Sequence, residues 1–93
     1  MTIAIEHFAN ELKLSPTELI QRSLIAFLER ERRAVQQDIA DLQDRYEART
    51  LSELRTKIEN KKIYSHPAWE DLIEWQNLEA YATQLNQLQA QIK

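Results

Sequence analysis

His7 and Glu11 stand four residues apart, the spacing that puts an imidazole and a carboxylate on one side of a helix, within reach of a shared metal ion. The chain has only one other histidine, His66, and no cysteine. A third ligand is missing, so an ordinary surface pair is the stronger reading. Carboxylates recur as Asp38, Asp41 and Asp44, and again as Glu70, Asp71 and Glu74. Both sets follow helix surfaces, and nothing in the pattern encloses a carboxyl group so as to raise its pKa for acid–base work. Ser15, Ser23, Ser52 and Ser65 read as caps or helix residues without a His/Asp relay. Glycine is absent altogether. With it go the usual materials of phosphate-cradling loops, nucleophile elbows and left-handed helix caps. No catalytic residue, metal or cofactor is expected, and the chain reads as a non-enzyme.

The segment from His66 to Trp75 carries more information. Trp69 and Trp75 are six residues apart, about 120° from each other around a helix, so they cannot share one narrow seam. One is expected inside the protein, and the other against a partner or against the basic stretch near residues 51–66. Tryptophan is enriched at binding hot spots, and acidic neighbours favour a basic partner. The competing reading is that both rings fill a wide helical core. The expected partner-binding set is Tyr64, Trp69, Glu70, Asp71, Leu72, Glu74, Trp75 and Leu78.

These side chains must be positioned by helices. Ile5, Phe8, Ala9 and Leu12 recur at helical spacing and predict a short helix over 5–13. Ser15-Pro16-Thr17-Glu18 is a capping box with proline at the first helical position, and it opens a helix that nothing interrupts over 16–49. Along it Ile25, Leu28, Arg32, Val35, Ile39, Leu42 and Tyr46 form a seven-residue seam with Arg32 as the polar intruder, which reads as a coiled-coil-like dimerisation surface. Leu19, Ile20, Leu24 and Phe27 widen the stripe where the first helix can fold back. Thr50-Leu51-Ser52-Glu53 opens a third helix over 51–60. Pro67 opens a fourth over 67–92, with His66 pushed toward extended geometry. Leu78, Tyr81, Leu85, Leu88 and Ile92 give this helix a seam of its own.

The expected fold is all-α: an elongated helical hairpin or bundle in a single domain. Residues 1–50 make the N-terminal hairpin and long helix; residues 51–93 make the acidic-aromatic partner-binding segment. A helix of about 33 residues is about 50 Å long, whereas a compact globule of this mass is only about 30 Å across. Its far end must therefore pack on another helix of the chain, on a second copy, or on a partner. Net charge is −3, and only residues 51–66 are basic, by +2. That argues against a surface devoted to nucleic acid. No stretch approaches ~20 apolar residues and no signal-like segment opens the chain, so a cytoplasmic protein without membrane contact is expected.

Phe8, Ala9 and Leu12, then Ser15, Glu18, Leu19 and Ile20, then Leu24, Phe27 and Leu28 resemble the helical half of ribbon–helix–helix proteins. That resemblance implies a transcriptional regulator with Lys13, Ser15 and Arg22 near DNA phosphates. The turn position that the family fills with glycine is Lys13. Only Met1-Thr2-Ile3-Ala4 stand where the DNA-reading strand belongs, without a residue for base edges. A long polar helix ending in tyrosine, a Leu-Ser-Glu-Leu helix, then Glu74-Trp75 and Leu78-Glu79 make the chain similar to small prokaryotic antitoxin-like proteins. This second resemblance implies a homodimer that neutralises a small basic toxin through its C-terminal acidic-aromatic helix. Beside it stand two alternatives: a structural or adaptor coiled-coil protein, and a DNA-binding regulator of ribbon–helix–helix descent.

Overall fold

The hydroxyl of Ser15 accepts the N–H of Glu18 at 3.1 Å, while the Glu18 carboxylate accepts the N–H of Ser15 at 3.5 Å. Two of the donors left over at a helix start are thereby satisfied, and Pro16 has none to satisfy. The helix so opened is the longest element of a computed structural model that describes residues 3–92. Among those residues there are four helices and no strand: α1 Ile5–Glu11, α2 Pro16–Tyr46, α3 Leu51–Glu59 and α4 Ser65–Ala90. Thr50 caps α3 by accepting the N–H of Glu53, whose carboxylate in turn accepts the N–H of Arg49, one residue ahead of the cap. His66 is extended (φ −118°, ψ 123°), so the regular part of α4 starts at Pro67.

The all-α hairpin is the observed fold. α4 runs back along α2, α3 packs on α4, and α1 packs on the start of α2. The molecule measures 60 × 27 × 18 Å with a radius of gyration of 19.2 Å, against about 12 Å for a compact chain of this length. One core cluster gathers Leu42, Ala48, Leu54, Ile58, Ala68, Leu72 and Trp75 where α2, α3 and α4 meet. A second joins Leu28 and Val35 of α2 to Leu85 of α4. Leu54, Leu72 and Leu85 are enclosed almost entirely, each contributing about 2 kcal/mol through apolar burial.

Three helix ends depart from expectation. α2 stops at Tyr46 instead of running to 49, because Glu47 turns left-handed (φ 51°). Lys13 (φ 60°) and Lys61 (φ 57°) do the same after α1 and α3. In each case the next N–H reaches back across the turn: Leu14 to the Ala9 carbonyl at 2.9 Å, Ala48 to Gln43 at 3.1 Å, and Lys62 to Lys57 at 2.9 Å. These are Schellman closures built without glycine. The lack of glycine does not remove left-handed caps; it makes them from residues that carry a Cβ.

The dimerisation reading of the α2 seam is also revised. Leu28, Val35 and Leu42 are buried inside the chain, with Ile39 and Tyr46 packed beside them. α4 supplies the covering helix, so a second copy is not needed there. Arg32 is half-buried and bonds Glu29 at 2.9 Å through Nη2, while its Nε is enclosed without a partner among the described residues. Ile25 alone of the seam lies outside this cover, 40% exposed.

Candidate protein-binding surfaces

The acidic-aromatic segment is divided by the fold. Leu72 and Trp75, expected at the partner surface, are core residues at 1% and 0% exposure. They lie on the face of α4 that meets α3 and the end of α2, and the Trp75 indole N–H is satisfied by Glu79 at 2.7 Å. Leu78 is half-buried against both core clusters. Asp71 is turned to internal work, accepting hydrogen bonds from the Tyr46 hydroxyl and from Arg45 at 3.0 Å. Burial, then the hydrogen bond and charge of Asp71, push the Tyr46 phenol up to about 12. Further along the hairpin Tyr81 donates to Glu31 at 2.7 Å, a bond that raises its pKa. Near the end of α4, Arg32 and Gln89 both donate to Glu29 and hold its carboxyl below the usual range.

What stays outside is an aromatic corner at the α3–α4 junction. Tyr64 is 90% exposed, Trp69 is 39% exposed, and Ile73 is uncovered one turn further on. The Arg55 guanidinium sits 5.9 Å from the Trp69 ring centroid. Trp75 is thus the inner indole, and Trp69 the one facing the basic third helix. An open cleft of about 860 Å³ lies beside Trp69 and Tyr64, walled by Ile58, Ile63, Lys61 and Lys62. Glu70, paired with His66 at 3.3 Å, and Glu74 are exposed on the α4 side. The corner therefore carries cations on one flank and carboxylates on the other.

The sequence did not mark a second exposed surface, which is strongly apolar. Phe8 and Leu12 of α1 and Ile20, Leu24 and Phe27 of α2 are all between 44% and 59% exposed. Phe8, Leu12, Ile20 and Leu24 line an open apolar groove of about 410 Å³, with Ile3, Ile5, Leu19 and Ser23 completing its wall. The first helix does fold back as expected, but its one buried side chain is Ala9, too small to cover a stripe of leucine, isoleucine and phenylalanine. The signal was available in the residue types: both helices present large apolar side chains, and the one that α1 buries fully is an alanine, with Ile5 and Leu19 only half-buried beside it.

The phosphate-contact candidates are exposed, Lys13 and Ser15 at the α1–α2 turn and Arg22 further along α2. The Ser15 hydroxyl is committed to its cap, Arg22 approaches Glu18 at 3.8 Å, and Lys13 is the left-handed turn residue. Ile3 and Ala4 form no strand, while Met1 and Thr2 of the proposed reading strand lie outside the described residues. His7 packs edge-on against Phe8 at 5.6 Å. No group of three metal-ligating side chains is found among the described residues, and no described helix is long and apolar enough to cross a membrane.

No curated protein and no solved structure matches this chain. A family model covers residues 1–93 in full, and the chain belongs to the Uncharacterized protein MJ0235 family.

Proposed function

We propose that this protein acts by holding another protein and not by catalysis, in the manner of a small antitoxin. The aromatic corner of Tyr64, Trp69 and Ile73, flanked by Glu70 and Glu74, is its partner surface. The observation that carries this reading is the state of Trp69 and Tyr64: large aromatic side chains standing outside the core at the α3–α4 junction. Aromatic groups so placed offer much apolar area for little lost conformational freedom. Leu72 and Trp75 act beneath the surface, fixing α4 in place. Asp71 holds the two long helices together, so attraction of a basic partner falls to Glu70 and Glu74. A small basic toxin would meet those carboxylates on one side and lay its own acidic groups toward Arg55, Lys61 and Lys62 on the other.

The test is co-expression with the polypeptide of the adjoining reading frame, followed by an affinity measurement. Stoichiometric association is expected, weakened about tenfold or more by the pair Tyr64→Ala and Trp69→Ala. Absence of association, or binding by the double variant at wild-type strength, removes the proposal.

A further inference from the structure

α2 and α4 run antiparallel. Arg45 and Tyr46 meet Asp71 at the base, and toward the top Glu31 meets Tyr81 and Glu29 meets Gln89. α4 then ends at Ala90, with Ile92 packed on the cluster of Leu28, Val35 and Leu85. Above that level α2 continues through Pro16 to Phe27, about three turns or roughly 18 Å of helix, with only α1 beside it among the described residues. The apolar stripe therefore runs on past its cover.

We propose that a second copy of this chain docks on the α1–α2 face, its α2 running antiparallel to the first and taking over where α4 stops. Three observations favour a copy over a foreign partner. The face continues the stripe on which an antiparallel helix is already seated, so the same packing mode is extended. Its charge is nearly balanced: residues 3–27 carry three acidic and two basic side chains, although the whole chain is at −3. A face so close to neutral repels its own image little, and it offers hardly any net sign by which to select an acidic or basic stranger. The size also fits. Six side chains (Ile3, Phe8, Leu12, Ile20, Leu24 and Phe27) stand 44% to 68% exposed. At about 200 Å² for a large side chain they expose roughly 600 Å² of apolar surface, most of the ~800 Å² per partner in a standard interface once a polar rim is added. A two-fold axis near Leu24 sets Ile20 of one copy opposite Phe27 of the other, the self-complementary arrangement of a symmetric dimer. The aromatic corner lies at the opposite end of the 60 Å rod, so both corners of the dimer stay open.

The chain contains no cysteine, which makes single-cysteine variants clean reporters. Phe8→Cys, Ile20→Cys, Leu24→Cys and Phe27→Cys are oxidised one at a time in the full-length protein, with Ile73→Cys as the control at the far corner. A disulfide-linked dimer is expected from at least one of the four at dilute protein concentration and not from the control. Light scattering on Leu24→Glu is expected to give one chain per particle with helical circular dichroism retained. If that variant unfolds, the cysteine set still decides. Linking at position 73 alone, linking nowhere, or a folded Leu24→Glu that remains dimeric overturns the proposal. Because Phe8, Ile20, Leu24 and Phe27 lie away from Tyr64, Trp69 and Ile73, partner binding can fail while the dimer stands, and the reverse.

Discussion

Tyr46 is where packing and polar chemistry coincide on the hairpin. Its ring lies against the larger core cluster, and its hydroxyl donates to the Asp71 carboxylate that also receives Arg45. An ionised phenol there would lose hydration and face a carboxylate, which is why its pKa rises from 10.0 to about 12. The sign follows from linkage: the folded state holds this proton more tightly than the unfolded chain. The stabilisation is therefore fully present below about pH 10 and disappears as pH climbs through about 12. Urea unfolding of the wild type should weaken over that window. Tyr46→Phe should cost about 1.5–3 kcal/mol at neutral pH, the worth of a hydrogen bond to a charged group, and should show a shallower alkaline decline. Parallel profiles for the two proteins would show that Tyr46 is not the titrating contact. Leu72 and Trp75 teach a related lesson. Their aromatic and acidic company made them look like interface residues, but the four-and-three spacing of Ala68, Leu72 and Trp75 is also that of a buried stripe, and burial is what the fold chooses.

The helices themselves were legible because their start signals are local. Ser15-Pro16-Thr17-Glu18 fixes the start of α2 through bonds that span only four residues, and the observed cap reproduces them. Helix stops were less legible. Lys13, Glu47 and Lys61 adopt positive φ, a conformation that costs a residue with a Cβ about 1–2 kcal/mol. No residue type in this glycine-free chain announces it. Replacing each in turn by glycine should relieve that cost and, after the greater freedom of the unfolded chain is deducted, stabilise the protein by about 0.5–1 kcal/mol. A control at a helix interior position, Gln37→Gly, should destabilise by about 1 kcal/mol. Thermal unfolding of the four variants checks both directions at once; destabilisation by all of them would refute the strained-cap reading. The seam of α2 was visible as a stripe, but which helix covers it depends on how far α4 reaches. That length is set by long-range register, which no local pattern carries. The candidate site was legible only in part for the same reason: Tyr64 and Trp69 stay outside, Asp71 turns inward, and the Phe8–Leu24 face becomes visible only when α1 proves too slight to cover it.

At the scale of the whole molecule, a rod 60 Å long and 18 Å thin satisfies its apolar edge by two different means. Over its lower two-thirds, α4 returns and closes the seam within the chain. Over the upper third, α1 contributes a single buried alanine, and large side chains from both helices remain in water. Exposed apolar patches of this extent mark surfaces built for association. On the two proposals above, the ends of the rod would take separate roles, assembly at one and partner recognition at the other. Sedimentation equilibrium of the full-length protein, run beside Phe27→Glu, tests this most directly. The expected result is a wild-type particle of twice the 11.0 kDa chain mass, reduced to one chain by Phe27→Glu without loss of helical signal. A wild-type protein that sediments as a single 11.0 kDa chain across the micromolar range would contradict the account.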